Sequence, residues 1–350
     1  MKKPIATLLQ YSFFLALGLF FVWLSVKNID HRHWLEIKHA LQRARHWLIL
    51  PVIGTLLLSH YSRAIRWKIL MEPLGYNPST FNTFAVVMIG YLVNAGVPRL
   101  GEVVKCTLLS RYENVRADRL VGTIVMERAV DLVSLIIVFV FALIFQGHVI
   151  GDFVMNAFGN FFTDSSGKAS VQKIILGLAG VILFFVLLYL ALKKFGHIDA
   201  VAKIKNVIKG ILQGLSSIRF IKHKGLFIFH STLIWVLYLA STTIGIYALR
   251  ETAHLGIGGG LTTLAIGSVG MVLTPGGIGA YPLLVAKLIG LYGIDESTIG
   301  NALGWLLWSV QTIISVVVGL ICFALFSHHN KKRKITLVGE QHGNEDPPLL

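Results

Sequence analysis

The sequence predicts an all-α polytopic membrane protein with about six full spans and two re-entrant hairpins made of broken helices. Three observations predict this class. Only 14% of the 350 residues are charged and 55% are hydrophobic, whereas soluble domains carry roughly 25% charge. Several apolar runs approach the length of about twenty residues that an α-helix needs to cross a bilayer. Basic residues concentrate in the connections between these runs, as the positive-inside rule requires.

Some of the apolar segments are long enough to be full spans. The first begins after Met1 and two lysines and has no small-residue cleavage site, so we expect a retained span rather than a signal peptide. The predicted spans are residues 5–26, 47–67, 120–145, 173–192, 226–248 and 299–326.

Two further apolar regions contain helix-breaking residues near the middle. Region 81–110 breaks at Asn94–Gly101, and region 258–294 breaks at Thr274–Gly279. Non-helical backbone lies at membrane depth only where protein buries it or where it lines a polar cavity. We therefore expect two re-entrant hairpins, each made of two short helices around a Gly/Pro hinge.

The distribution of charge orients the spans. Connection 193–225 has eight Lys or Arg and one acidic residue, so it should be cytoplasmic, whereas 146–172 has one Lys and two Asp and should lie outside. The basic run 331–334 places the C-terminus inside. The sequence thus predicts a multi-pass protein of the cytoplasmic (inner) membrane with both termini in the cytoplasm. Its integral membrane domain would cover 1–330, followed by a basic and then disordered tail over 331–350.

Connection 27–46 lies outside in this scheme although it carries five basic residues. Its apolar residues recur at steps of three and four, which is typical of an interfacial amphipathic helix whose polar face tolerates charge. We expect this segment to be a helix that lies on the lipid headgroups.

A span, a hairpin and a second span occur in this order in each half of the chain, within about 5–145 and again within 173–326. The hinge prolines Pro98 and Pro275 are 177 residues apart, and the charge pattern gives the halves opposite orientations. Inverted repeats with broken helices are typical of transporters whose binding site lies at the repeat interface. The spacing therefore predicts an inverted-topology repeat.

The first hinge combines helix breakers with charges. Arg99, Gly101 and Glu102 follow Asn94 and Pro98. A guanidinium suits phosphate geometry, and the helix that follows would direct its positive N-terminal end into the same space. The alternative is an ordinary ion pair between Arg99 and Glu102 at a hairpin tip.

A second group of charges lies in the span that follows. Glu127 and Asp131 are four residues apart and therefore share a helix face, beside Arg128. Ionisable residues within a membrane are costly and indicate a functional site by default. Both carboxylates need partners inside the protein, for which Arg99, Lys105 and Arg128 are the candidates. They would line a polar translocation path or form a buried structural network.

The second hinge has no charge. Its backbone amides would form an anion-binding nest or provide flexible packing. Its helix-breaking residues are Pro275, Gly276, Gly277 and Gly279.

Arg63, Arg66 and Trp67 stand near the end of the second predicted span. Trp and Arg are enriched at membrane interfaces, so these residues are interpreted as an interfacial anchor. A role in lipid-headgroup binding is the alternative.

The composition and motifs exclude several classes. The net charge of +15 indicates anionic lipid as the partner rather than nucleic acid, because the basic residues lie between apolar segments. The sequence contains no Walker loop, no nucleophile elbow and no metal-binding His pair. We therefore predict neither an enzyme nor a cofactor or metal. Cys106 and Cys322 are expected to be buried thiols.

Four motifs in order support a family resemblance. The chain resembles the lysylphosphatidylglycerol synthase transmembrane family in four motifs. In chain order these are Arg63-x-x-Arg66-Trp67, the first hinge, Glu127-Arg128-x-x-Asp131 and Pro275-Gly276-Gly277-Ile278-Gly279. This family is also described as flippase-like or UPF0104, and the resemblance covers about residues 5–326. Members often carry a Glu shortly after the second hinge, where Tyr281-Pro282 stands here.

The resemblance implies a membrane domain that moves an anionic or aminoacylated phospholipid between leaflets. We expect Arg99 and Lys105 to engage the lipid phosphate and the hinges to move. Bifunctional members carry a cytosolic aminoacyltransferase domain, and since this sequence ends just after its last span, we expect no lipid-aminoacylating activity. The alternatives are a scaffold or accessory subunit for a lipid- or glycan-modifying enzyme, and a membrane-embedded transferase.

Overall fold

A computed structural model describes residues 16–27, 29–97, 99–113, 115–162 and 221–343. Every regular element within these ranges is helical, and five helical segments are long and apolar enough to cross a membrane. The prediction of an all-α polytopic membrane protein is confirmed. In chain order the α-helices of the described residues are α1 (Ala16–Val26), α2 (His31–Gln42), α3 (Ile49–Met71), α4 (Thr80–Gly96), α5 (Leu100–Glu113), α6 (Ala117–Phe162), α7 (Lys224–Ile246), α8 (Gly256–Leu273), α9 (Ala280–Leu291) and α10 (Asn301–Gly343).

Four of the predicted spans correspond to α3, α6, α7 and α10. The span expected at 5–26 is described only from Ala16, and the one expected at 173–192 lies outside the described residues. The fifth candidate is Ala253–Leu273, which contains α8 and was expected to be a short half of the second hairpin. α8 itself ends at the predicted break before Thr274, and the short 3-10 turn Ala253–Leu255 that precedes it gives the segment its additional length.

Both hairpins are present, and each is broken at its predicted hinge. In the first, α4 ends at Gly96 and α5 begins at Leu100; Pro98 lies outside the described residues. The amide N–H of Gly101 donates to Asn94 Oδ1 at 2.8 Å, which joins the two arms across the break. A Cβ atom at Gly101 would collide with the Gly90 carbonyl oxygen. Glycine is therefore required here for the close approach of α4 and α5.

The second hinge forms a short 3-10 turn, Pro275–Gly277, between α8 and α9. The hinge glycines Gly276, Gly277 and Gly279 all have positive φ angles. Gly279 also packs directly on the backbone of α1, so a side chain there would clash with Phe21 and Val22. The hinge thus serves as a packing surface for α1 as well as a break in the helix.

The helices of the two halves pack in a reciprocal pattern. α3 packs against α7, while α4 contacts α10 and α8 contacts α6. α3 and α7 are antiparallel: Arg45 N donates to Ala248 O at 2.8 Å near one end, and Ser62 Oγ lies 2.8 Å from His230 Nδ1 near the other. Two halves related by an axis in the membrane plane would exchange contacts in this way. The inverted repeat remains a prediction that these contacts favour.

Two peripheral segments differ from expectation. The amphipathic helix α2 exists, but its residues Ile37 and Ala40 are buried against the second half of the protein, in a cluster that includes Ile246 and Val285. Part of its apolar face therefore covers protein rather than lipid. α10 continues through the basic run to Gly343; residues 344–350, which make up most of the stretch expected to be disordered, lie outside the described residues.

Candidate functional site

Five ionisable side chains from three helices form a buried cluster. Arg63 Nη1 donates to Glu127 Oε1 at 3.2 Å and to Asp131 Oδ2 at 2.6 Å. Arg66 Nη2 donates to Asp131 Oδ1 at 2.7 Å. Lys105 Nζ donates to Glu127 Oε2 at 2.9 Å. These five residues are called the buried cluster below.

Helical spacing explains how the buried cluster forms. Arg63 and Arg66 are three residues apart on α3, and Glu127 and Asp131 are four apart on α6, so each pair shares one helix face. The facing pairs are deeply buried, with Arg66 0% and Glu127 2% exposed. Buried charges are tolerated only when paired and hydrogen-bonded. Both carboxylates meet that condition.

The buried cluster carries an excess of one positive charge, since its ion pairs join three cations to two carboxylates. Its guanidinium groups also retain spare donors. Arg63 Nε, Arg66 Nε and Arg66 Nη1 have no hydrogen-bond partner among the described residues. The excess positive charge favours an anion nearby.

The interpretation of Arg63, Arg66 and Trp67 as an interfacial anchor is wrong. The three residues are 7%, 0% and 0% exposed, because α3 continues to Met71 and its polar face meets the carboxylates of α6. Trp67 Nε1 donates to Thr123 Oγ1 at 2.8 Å, and its ring lies 4.5 Å from Lys105 Nζ. The sequence contained one signal for this contact. Arg63 and Arg66 share one helix face, as Glu127 and Asp131 do on another helix, so the two faces could have been predicted to pair.

The first hinge contributes a separate and more open group of charges. Arg128 Nη2 forms an ion pair with Glu102 Oε1 at 2.6 Å, and their side chains are 52% and 30% exposed. The partner of Glu102 is therefore Arg128, and not Arg99 as the alternative interpretation expected. Arg99 is exposed, and its φ of 65° lies in the left-handed region that favours glycine.

Arg99 and Lys105 were expected to engage the same lipid phosphate, but their surroundings in the structure differ. Lys105 is 7% exposed and bound to Glu127, whereas Arg99 lies on the surface and makes no ion pair with any described residue. The cations best placed to meet a ligand are Arg63 and Arg128, because both line a cavity.

A cavity of about 570 Å³ lies between the two halves. Its first wall contains the charged side chains, and its second wall consists of neutral residues from the other half. Asn94 and Gly276 place the two hinges at its border. The polar and aromatic residues that line the cavity include His60, Arg63, Tyr91, Asn94, Arg128 and Asp131 on the first wall and Trp235, Tyr238, Ser268, Tyr281, Trp308, Gln311 and Ser315 on the second.

Four further predicted site residues lie beside this cavity. Gly101, Glu102, Lys105 and Glu127 line a small adjoining recess that shares Arg63, Asn94 and Arg128 with the main cavity.

Sequence reasoning missed the neutral wall. Its polar side chains recur at helical spacing within two spans, as Trp235 and Tyr238 in α7 and Trp308, Gln311 and Ser315 in α10. That periodicity was a signal, since a helix polar on one stripe within a membrane faces a protein interior or a cavity. Tyr281 also belongs to this wall, where relatives were expected to carry a Glu.

The fold and the site define a multi-pass α-helical membrane protein with a charged cavity between two similarly ordered halves. The family model described as lysylphosphatidylglycerol synthase TM region matches residues 11–319, and the chain belongs to this family. It is also 24% identical to a UPF0104 membrane protein of Methanocaldococcus jannaschii over 328 aligned residues, which cover 85% of this chain and 90% of that relative. No solved structure matches the chain. The resemblance predicted from the four ordered motifs is confirmed.

Proposed function

We propose that this protein moves lipids with anionic headgroups between the leaflets of the cytoplasmic membrane and catalyses no covalent change itself. The supporting observation is the cavity between the halves, whose charged wall adjoins a cluster with one excess positive charge. Membership of the family supports a lipid-related role in the membrane.

The cavity would lower the cost of carrying a headgroup past the hydrocarbon. A charged or hydrogen-bonding group in hydrocarbon loses several kcal/mol unless it finds partners. Arg63 and Arg128 both line the cavity, and the guanidinium of Arg128 can bind phosphate oxygens in a bidentate manner.

Arg128 is the cation that can exchange its partner. Its ion pair with Glu102 is half exposed, and such pairs contribute about 0–1 kcal/mol. A phosphate could therefore replace Glu102 at little cost. The pairs of the buried cluster would instead stay in place and supply the positive field.

The two hinges would allow the arms of the hairpins to move during transport. The first is closed by the Gly101–Asn94 hydrogen bond, and the second by Trp308 Nε1, which donates to Gly276 O at 2.8 Å. Because the sequence contains no nucleotide-binding motif, transport would be passive or driven by a gradient.

Reconstitution tests the proposal. Purified protein is placed in phosphatidylcholine liposomes with a trace of tail-labelled phosphatidylglycerol, and loss of fluorescence on adding dithionite reports transfer from the inner leaflet. Arg128→Gln and Asp131→Asn should slow transfer, whereas Lys287→Gln, which removes an exposed cation of α9 outside the cavity, should not. Folded wild-type protein that transfers no anionic lipid would refute the proposal, and unaltered rates in both cavity variants would refute the residue assignment.

A scaffold for a lipid- or glycan-modifying enzyme is the second candidate. Both carboxylates of the buried cluster are fully engaged by cations, as a purely structural network would require. Such a protein would be destabilised by Asp131→Asn yet show no transfer of any lipid in liposomes. The same reconstitution, combined with a thermal unfolding measurement on each variant, separates the two candidates.

A further inference from the structure

We infer that the cavity holds a headgroup that is both anionic and polyhydroxylated, such as a sugar phosphate or polyol phosphate, and that it does not accept an aminoacylated headgroup. This inference rests on the proposed translocation of anionic lipids and adds the chemistry of the headgroup. It follows from the different chemistry of the two cavity walls.

The charged wall has no carboxylate available for an ammonium group. Both oxygens of Asp131 already accept hydrogen bonds, one from Arg63 and one from Arg66. Glu102 does not line this cavity but lies in the adjoining recess, and Glu127 is buried there and bound to cations. An aminoacyl group would bring its ammonium into a site that already has excess positive charge, which is unfavourable. A phosphate would be attracted to the same wall.

The second wall carries hydrogen-bonding groups without charge. No described residue that lines the cavity from α7 to α10 is an Asp, Glu, Lys, Arg or His. Its hydroxyls donate to their own helices, as Ser268 Oγ does to Leu264 O at 2.6 Å and Ser315 Oγ does to Gln311 O at 2.9 Å. Since a hydroxyl oxygen has two lone pairs, these groups remain free to accept.

Two residues that line the cavity also carry polar atoms without a partner. The indole N–H of Trp235 and both ring nitrogens of His60 are buried and have no hydrogen-bond partner among the described residues. Buried polar groups nearly always have a partner, so each unpaired one requires an explanation. A ligand with several hydroxyl groups supplies it, because a hydroxyl both donates and accepts, whereas a phosphate oxygen only accepts and an ammonium only donates.

The aromatic residues and the size of the cavity agree with this ligand class. Trp235 and Tyr238 form an edge-to-face pair with ring centroids 6.0 Å apart, beside the site where Arg63 Nη2 donates to Tyr238 Oη at 3.3 Å. Tyr and Trp combine an apolar ring with a polar tip, which suits the C–H faces and hydroxyls of a sugar or polyol. The cavity of about 570 Å³ lies within the range typical of sites for whole organic ligands rather than lone ions.

The test compares three tail-labelled lipids in the liposome assay: phosphatidylinositol, phosphatidic acid and lysylphosphatidylglycerol. We expect wild-type protein to transfer phosphatidylinositol about tenfold faster than phosphatidic acid, which corresponds to one or two net hydrogen bonds, and to transfer lysylphosphatidylglycerol most slowly. Trp235→Phe and Gln311→Leu should slow transfer of phosphatidylinositol by a larger factor than transfer of phosphatidic acid, so that the preference for phosphatidylinositol is lost. Trp47→Phe, at a 66% exposed tryptophan, is the matched control.

The outcomes separate this inference from the proposed function. Equal transfer of phosphatidylinositol and phosphatidic acid, or a preference for lysylphosphatidylglycerol, overturns the inference and leaves translocation intact. If no lipid is transferred, the inference is tested by ligand binding instead. Inositol phosphate should raise the unfolding temperature of wild-type protein in detergent more than inorganic phosphate does. Trp235→Phe should remove that difference, and its persistence in this variant would overturn the inference.

Discussion

Replacing Glu127 with glutamine should destabilise the folded protein by about 3–5 kcal/mol, which is the usual cost of removing one partner from a buried ion pair. Glu127 is 2% exposed, and three cations surround it: Lys105 at 2.9 Å, Arg63 at 3.2 Å and Arg66 at 3.6 Å. Arg63 and Arg66 would keep Asp131 as a partner. Lys105 would lose the only carboxylate that contacts it among the described residues and would remain as an uncompensated buried charge.

Glu102→Gln is the matched control. This substitution has the same chemistry in a neighbouring ion pair, but that pair is half exposed, so the expected cost is below about 1 kcal/mol. The double variant Glu127→Gln/Lys105→Met removes the uncompensated charge along with its partner. It should be more stable than Glu127→Gln alone, since the free-energy changes caused by substitutions at contacting residues are not additive.

Unfolding can be followed with a dye that fluoresces on reaction with thiols. Cys106 and Cys322 are 3% and 5% exposed and are both free, so they should react only when the protein unfolds. The unfolding temperature should be highest for the wild type, lower for Glu102→Gln and lowest for Glu127→Gln. Equal unfolding temperatures for Glu127→Gln and Glu102→Gln would refute the reasoning that burial makes the cluster costly to break.

Further predictions use the same unfolding measurement. Gly101→Ala should destabilise by about 1–3 kcal/mol, because its Cβ would collide with Gly90, whereas Gly96→Ala has open space and should be near neutral. Gly279→Ala should cost more than Gly276→Ala, since both have positive φ but only the former would also clash with α1; equal costs would contradict this packing. Arg99→Gly should unfold at a higher temperature than Arg99→Gln, because both remove the charge and only glycine relieves the left-handed backbone, worth about 1–2 kcal/mol.

The helical architecture could be predicted because it depends on local properties of the chain. The length of each apolar run indicates a span, and the clusters of Pro, Gly and Asn indicate where a helix breaks. The hinges at 94–101 and 274–279 were therefore predicted at the correct places. That the segment Ala253–Leu273 is long enough to cross a membrane was missed, because the short 3-10 turn that precedes α8 was not predicted.

The partners of the buried charges could not be predicted because they depend on long-range packing. Glu127 and Asp131 were expected to pair with Arg99, Lys105 or Arg128, which lie nearby in sequence. Only Lys105 does so, and the other partners, Arg63 and Arg66, are 61 or more residues away. The packing of α3 on α6 brings them together, and no local pattern specifies that contact.

The sequence by itself determined the class of protein, the two hinges, the family and the presence of a costly charged group within the apolar chain. Only the tertiary structure decided that the charges close into a cluster with one excess cation, and that a neutral, hydroxyl-rich wall faces them across a cavity. The physical reason is that hydrophobic length and helix breaking are properties of contiguous residues. Charge balance and hydrogen-bond complementarity belong to residues that meet only after the two halves have packed.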